Sequence, residues 1–160
     1  MHVKQIIEED FVNYKLPSMF IATCQCTWKC CVEQGFPITV CQNSSISKSP
    51  TQHIADTTIL QHFKNNPITK AVVIGGLEPM LQIDEVDALI QLFRVNGENC
   101  PFVIYTGYNK SEVEYQVKLL SQYKNVILKF GRYIPNRDHR FDEILGVTLA
   151  SDNQYAEVIS

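Results

Sequence analysis

Cysteines are the residues of this 160-residue chain with the clearest capacity for chemistry, and five of the six lie between Cys24 and Cys41. Clustered thiols in a chain without a secretory signal favour a metal or redox site over disulfides. Cys26 and Cys30 are separated by three residues, and Cys41 follows after ten more. Three thiolates on one loop can hold three irons of a 4Fe-4S cluster and leave the fourth iron open, whereas electron-transfer clusters normally use four cysteines. An open iron indicates chemistry at the cluster.

A structural zinc site is the main alternative for the same thiols. Zinc takes four ligands, usually in closely spaced pairs such as C-x2-C. The chain has no such pair, and the nearest histidine is His53, in the following polar stretch. Burial as a small apolar residue explains Cys100 but not five thiols within eighteen positions. Cys24 and Cys31 are left as packing residues or as alternative ligands in place of Cys41.

Length and composition predict a single domain, 1–160, with enough residues to bury a core without cross-links. A net charge of −3 provides no general attraction to nucleic acid or to an anionic membrane, and neither partner is expected. The acidic first ten residues lack the apolar region of an export signal. All apolar runs are much shorter than the roughly 20 residues of a membrane span. We therefore expect a cytoplasmic protein.

Short apolar runs alternate with amphipathic segments along the chain, while the polar stretch 43–53 is typical of a loop. The runs predicted as strands are 19–23, 71–74, 101–105, 126–128 and, as a candidate fifth, 145–150. Helices are predicted from Asp56 as N-cap, from about Asp84, and after a capping box formed by Ser111 and Glu114. Strands that are apolar throughout and separated by such helices indicate parallel βαβ units, and hence the α/β class.

Segments with potential ligand-binding groups follow four of the predicted strands. They are the cysteine stretch and the segments 75–79, 106–108 and 131–132. Ligands of parallel sheets bind beyond the carboxyl ends of the strands, so these four segments should meet at one edge. The glycines at 75–76 allow the backbone to approach a ligand closely, although an ordinary strand-to-helix turn explains them equally well.

Three motifs together resemble the radical S-adenosylmethionine superfamily. They are Cys26-x3-Cys30, the later Cys41-Gln42-Asn43, and Gly76-Leu77-Glu78-Pro79 after the next strand. The usual pattern of the superfamily is C-x3-C-x2-C-x-N followed by a GGE-P type motif. Here Glu33 stands at the usual third cysteine, and we interpret Cys41 as that cysteine, displaced by an inserted loop, because Gln42-Asn43 supplies the expected continuation.

Within this superfamily the chain is most similar to the small activating proteins of anaerobic (class III) ribonucleotide reductases. The similarity covers roughly residues 19 to 158 and rests on three further segments: Thr106-Gly107-Tyr108, Gly131-Arg132-Tyr133 and Ser151-Asp152-Asn153-Gln154. Leu77 replaces the usual second glycine, and Phe130 stands where the activating proteins often have aspartate. The resemblance implies a partial (βα) barrel of mostly parallel strands, with the helices on the outside.

The resemblance also implies a site and an oxidoreductase activity. Cys26, Cys30 and Cys41 would hold a 4Fe-4S cluster whose open iron is chelated by S-adenosylmethionine, and an electron from the cluster would cleave that cofactor to methionine and a 5′-deoxyadenosyl radical. Lys129 is the alternative to Arg132 for the carboxylate of S-adenosylmethionine. The residues implied to contact S-adenosylmethionine are Asn43, Gly75, Gly76, Leu77, Glu78, Thr106 and Arg132.

The implied partners are a glycyl-radical enzyme, such as an anaerobic ribonucleotide reductase, and an electron donor of the flavodoxin or ferredoxin type. The radical would abstract hydrogen from a glycine of the partner enzyme. Two alternatives stay open at this point. One is a radical S-adenosylmethionine enzyme that modifies another peptide or a small molecule, and the other is a non-catalytic iron-sulfur or zinc protein.

Overall fold

A computed structural model describes residues 1–160 and contains nine strands. In chain order they are β1 His2–Asp10, β2 Ser18–Thr23, β3 Gln52–His53, β4 Ala71–Gly76, β5 Phe102–Tyr105, β6 Val126–Phe130, β7 Arg140–Asp142, β8 Val147–Leu149 and β9 Tyr155–Val158. Seven of them form one sheet in the order β3-β1-β2-β4-β5-β6-β9, and β7 and β8 form a separate hairpin. The sheet therefore runs across the whole molecule.

The four central strands, β2, β4, β5 and β6, are parallel, and the edge strands β1, β3 and β9 pair antiparallel. Parallel neighbours require long crossovers, and helices provide them here. The three crossover helices are α3 Asp56–Asn65, α4 Ile83–Val95 and α5 Glu114–Leu120. The sheet is open, with no closed barrel. The predicted α/β class is confirmed, but the partial barrel is not.

The three helices cover one face of the sheet. Alternate strand residues point to this face because successive side chains of a strand project to opposite sides; Val72 and Ile74 do so on β4. The Phe93 ring of α4 packs edge-on against Phe63 of α3 and Phe102 of β5, with ring centroids 5.3 and 5.1 Å apart. This aromatic cluster connects two helices to the middle of the sheet.

The β7–β8 hairpin covers the opposite face. Leu145 and Leu149 pack there against the other set of strand residues, including Val73. Asp142 holds the hairpin in place, since its carboxylate accepts hydrogen bonds from the backbone N–H of Leu145 at 3.0 Å and of Ala156 at 2.9 Å. The predicted strand 145–150 thus exists only as β8 and belongs to this hairpin instead of the main sheet.

Several local predictions were wrong at the ends of elements. The N-cap of α3 is Ala55, while Asp56 lies in the first turn and accepts a hydrogen bond at 2.8 Å from the α-amino group of Met1. The capping box before α5 is formed by Asn109 and Glu112 and not by Ser111 and Glu114.

Two further segments differ from prediction. Strand β1 was not predicted, because its mixed, largely exposed pattern lacks an apolar run. The polar stretch predicted as a loop contains the single-turn helix α2 Ser44–Ser47 and strand β3. No helix combines the length and the apolar character that crossing a membrane requires.

Candidate functional site

A cavity of about 260 Å³ opens at the carboxyl ends of β2, β4, β5 and β6. Each of the four segments predicted to meet at this edge contributes to its wall, which confirms that prediction. The parallel register of these strands brings their ends level: Thr23 pairs with Gly76, and Tyr105 pairs with Lys129. The site is therefore positioned by the rigid centre of the sheet.

Four cysteines line the cavity, namely Cys26, Cys30, Cys31 and Cys41. Cys24 does not. Its backbone N–H donates to the Gln82 side chain at 2.6 Å. The three predicted ligands are thus brought together, and of the two alternative ligands only Cys31 accompanies them.

The backbone around the cysteines directs amide groups at sulfur. Trp28 has φ 58°, in the left-handed region that bulky residues rarely adopt. Its N–H donates to Sγ of Cys26 at 3.2 Å, and the single-turn helix α1, Lys29–Val32, begins immediately afterwards. The N–H of Asn43 donates to Sγ of Cys41 at 3.4 Å. Hydrogen bonds to cluster sulfurs are one of the means by which proteins set reduction potentials.

Burial raises the pKa of three of the thiols, Cys26, Cys30 and Cys31. It raises the pKa of Cys26 to about 11, against the opposing effect of the Trp28 N–H. Burial also raises the pKa of Cys30, although a backbone hydrogen bond from Tyr133 and the nearby guanidinium of Arg132 oppose it. Both thiols are accordingly protonated near neutral pH in the metal-free protein, and binding of metal must release their protons.

Two glycines allow the backbone at the cavity to approach neighbouring residues closely. A Cβ at Gly107 would lie 2.8 Å from Sγ of Cys30. A Cβ at Gly76, where φ is +79°, would lie 2.8 Å from Cβ of Ala22. Gly76 therefore keeps the loop after β4 against β2, and Gly107 forms the surface on which the Cys30 thiol rests.

Glu78 joins the loops that follow β4 and β5. Its buried carboxylate accepts hydrogen bonds from the Thr106 hydroxyl at 2.7 Å, the Gly107 N–H at 2.9 Å and the Met80 N–H at 3.1 Å. Burial raises the pKa of Glu78, and these donors oppose the shift. A carboxylate offers about four acceptor positions, and these donors occupy three of them.

The two candidate cations differ in position. Lys129 is 6% exposed and lines the cavity, where its ammonium donates to Gly131 O at 3.2 Å and lies 5.7 Å from the centroid of the Tyr105 ring. An ammonium has three donors, so two are free for a ligand. Burial lowers the pKa of Lys129 to about 8. Arg132 does not line the cavity.

The remaining predicted contact residues all line the cavity: Asn43, Gly75, Gly76, Leu77, Glu78 and Thr106. The structure adds wall residues that were not predicted, among them Tyr105 and the hairpin residues Val147, Thr148, Leu149 and Ala150. The hairpin carries no motif. It reaches the site only through tertiary packing, so no local sequence signal could have identified it.

The donor set fits a cluster better than a single ion. No three His, Cys, Asp or Glu side chains are arranged to hold one metal ion. A structural zinc ion needs four ligands at one centre, whereas the thiolates of a 4Fe-4S cluster bind different irons and need not converge. Four thiols on the wall of one cavity, beside glycines, suit the larger group.

A thiol-lined cavity at the edge of an open α/β sheet is a suitable site for an iron-sulfur cluster. The chain matches the model of the 4Fe-4S single cluster domain over residues 16–151, and it belongs to that family. This match supports the predicted 4Fe-4S cofactor. No curated protein and no solved structure matches the chain.

Proposed function

We propose that this protein is a radical S-adenosylmethionine activating enzyme that generates a glycyl radical on an anaerobic ribonucleotide reductase or a related enzyme. The observation that carries the proposal is the meeting of Cys26, Cys30 and Cys41 with the glycine segment after β4 at one cavity. When bound, the cluster supplies the electron that cleaves S-adenosylmethionine to methionine and a 5′-deoxyadenosyl radical. The residues of the chain bind and orient that cofactor.

The polar groups of the cavity suit the methionine end of S-adenosylmethionine. Gly75 and Gly76 present backbone groups at the wall, and Glu78 has an acceptor position for the amino group. Lys129 supplies a buried cation for the carboxylate, and a charge-assisted hydrogen bond in such a site is stronger than one between neutral groups. Asn43 and Thr106 offer further polar contacts.

Exposed apolar side chains in two segments that contribute to the cavity wall favour a protein as the target. Val32, Phe36 and Ile38, in the segment that carries the cysteines, are 69%, 41% and 45% exposed. Phe11 and Val12 are 64% and 75% exposed, and Val12 contributes to the cavity wall. Exposed apolar groups concentrated around a site are typical of contact with a macromolecule.

The test is anaerobic reconstitution with iron and sulfide, followed by dithionite and S-adenosylmethionine. We expect four irons per chain and formation of 5′-deoxyadenosine, and a glycyl radical signal when a partner reductase is added; a flavodoxin or ferredoxin should replace dithionite. A cluster that yields no 5′-deoxyadenosine would refute the proposal while leaving the family unaffected. Zinc without iron would also overturn the cluster assignment.

The role of Lys129 is tested by Lys129→Met, with Lys118→Met on the exposed side of α5 as the matched control. Loss of a hydrogen bond to a charged group costs about 1.5–3 kcal/mol, which corresponds to roughly a 10- to 150-fold weaker binding of S-adenosylmethionine. Iron content should stay at the wild-type level in both variants. Unchanged binding in Lys129→Met would exclude this lysine as the carboxylate contact.

A further inference from the structure

We propose that Arg132 is a positioning residue that holds the Cys30-bearing segment in its ligating geometry and does not contact the ligand in the cavity. The proposal rests on the 4Fe-4S family and on Cys30 as a ligand, and it is independent of the cleavage of S-adenosylmethionine. Arg132 is 7% exposed, and its guanidinium binds three different parts of the chain.

The first part is the end of helix α1, which carries Cys30. Nε of Arg132 donates to Glu33 Oε2 at 2.9 Å, and Glu33 is the C-cap residue of α1. Lys29, at the start of the same helix, lies 3.5 Å from Glu33 and also binds Glu112. Both ends of α1 are therefore attached to the same ionic network.

The second part is the turn before α5. The terminal nitrogen Nη2 of Arg132 donates to Glu112 Oε1 at 2.7 Å, and Glu112 also accepts from the Asn109 N–H at 2.8 Å. The network contains two carboxylates, Glu33 and Glu112, and two cations, Lys29 and Arg132. Its charges balance, so Arg132 has no unpaired charge to offer an anionic ligand.

The third part is Gly107, next to the Cys30 thiol. Nη1 of Arg132 donates to Gly107 O, while the N–H of Gly107 donates to Glu78 at 2.9 Å. The two peptide groups that flank Gly107 are thus each held by a side chain, at the point where a Cβ would lie 2.8 Å from Sγ of Cys30. Arg132 therefore acts on Cys30 through the helix and through the surface behind the thiol.

Two further contacts connect the same segments. The ring of Tyr108 lies near both cations, with its centroid 5.4 Å from Nζ of Lys29 and 5.3 Å from the guanidinium carbon of Arg132. The Gln34 side-chain amide donates to Cys30 O at 2.6 Å and to Tyr133 O at 3.0 Å. The segment that follows β6 is consequently fixed to the cysteine helix at several points around Arg132.

The planar fork of arginine is needed for this arrangement, because lysine offers one point charge on a flexible stem. We would compare Arg132→Met and Arg132→Lys with Arg94→Met as the control. Like Arg132, Arg94 binds three different residues, in its case through their backbone carbonyl groups, and it lies over the Phe102 ring. It does not line the cavity. It therefore reports the cost of removing a structural arginine elsewhere.

The measurements are iron per chain after anaerobic reconstitution, the rate of iron loss to a chelator, the electron paramagnetic resonance spectrum of the reduced cluster, and the melting temperature of the metal-free protein. Loss of a residue that orients metal ligands typically costs about 10- to 100-fold in affinity. We expect iron loss at least about tenfold faster in Arg132→Met, with an altered spectrum and little rescue by Arg132→Lys. Arg94→Met should lower the melting temperature and retain iron as the wild type does.

Two results would overturn the inference. One is wild-type iron retention in Arg132→Met together with weakened binding of S-adenosylmethionine, which would make Arg132 a ligand contact. The other is iron loss that follows the melting temperature equally in the Arg132 and Arg94 variants. If Arg132→Met does not fold, Glu33→Gln removes one connection of the network, and we expect the same effects at smaller size. Failure to form 5′-deoxyadenosine leaves these outcomes unchanged, so the two proposals fail independently.

Discussion

Replacement of Gly107 by alanine is predicted to remove the cluster while preserving the fold. The added Cβ would lie 2.8 Å from Sγ of Cys30, whereas ordinary contacts begin at 3.4 Å, so the sulfur must retreat by about 0.6 Å. Metal-ligand distances vary by only about 0.2 Å. The displaced thiolate therefore lies outside the range of its iron unless α1 shifts, and the network around Arg132 opposes that shift.

The backbone of Gly107 itself is compatible with alanine, since its φ lies outside the left-handed region. A glycine-to-alanine change at such a position stabilises a fold by about 0.4–1 kcal/mol through the unfolded state. In the metal-free variant the Cys30 thiol must still move away from the added Cβ, which offsets this gain, so we expect a melting temperature close to that of the wild type. Iron and sulfide per chain after anaerobic reconstitution should fall to a small fraction of the wild-type values.

Gly97→Ala is the matched control because it has the opposite combination of properties. Gly97 has φ +81° and nothing within 4 Å of the added Cβ, so alanine incurs about 1–2 kcal/mol of backbone strain without touching the site. That cost lowers the melting temperature by several degrees, at about 2–4 °C per kcal/mol, and should leave the iron content intact. Full iron content in Gly107→Ala would refute the role given to this glycine.

Three further predictions concern the ligands, the ionic network and the core. Cys41→Ala should abolish the intact cluster whereas Cys24→Ala should not, as measured by iron content and visible absorbance; the reverse result would contradict the ligand assignment. The ion pairs with Arg132 and Lys29 lower the pKa of Glu112 to about 2 from 4.5. A carboxylate with a lowered pKa stabilises the fold above its ordinary pKa and loses that effect as pH falls. Denaturant unfolding of the metal-free protein should therefore show stability declining between about pH 4.5 and 2, and declining less steeply in Glu112→Gln. Equal slopes in the two proteins would contradict this contribution of Glu112. Phe93→Ala removes a fully buried ring that contacts two others and should lower the free energy of unfolding by about 3–5 kcal/mol. A loss below about 1 kcal/mol would contradict this and show that the core repacks around the missing ring.

The parallel core of the sheet could be predicted from the sequence, since its strands are continuous apolar runs. Ala71–Gly76 and Val126–Phe130 are almost entirely buried. Short runs that are apolar throughout are typical of strands covered on both faces. Strand β1 could not be predicted in the same way. Its exposed residues give no continuous run, and it exists because the edge of β2 offers backbone partners.

The candidate ligands were also accessible from the sequence, because the spacing of Cys26, Cys30 and Cys41 and the residues after them carry information locally. The different positions of Lys129 and Arg132 relative to the cavity were not. Both come after the predicted strand 126–128, and only the packing decides which one lines the cavity. Lys129 belongs to β6, whose end forms part of the cavity wall. Arg132 follows Gly131, whose φ is +103°, and its guanidinium binds Glu33 and Glu112.

The sequence by itself determined the α/β class, the meeting of four loops at one sheet edge and the thiols that form the candidate cluster site, because periodicity and spacing are properties of the chain. The open sheet in place of a partial barrel, the hairpin on one face, the separation of Cys24 from the other thiols and the positions of Lys129 and Arg132 relative to the cavity come from the tertiary structure. Each of these depends on which distant segments come into contact. That is set by the packing of the whole core and leaves no local pattern to detect.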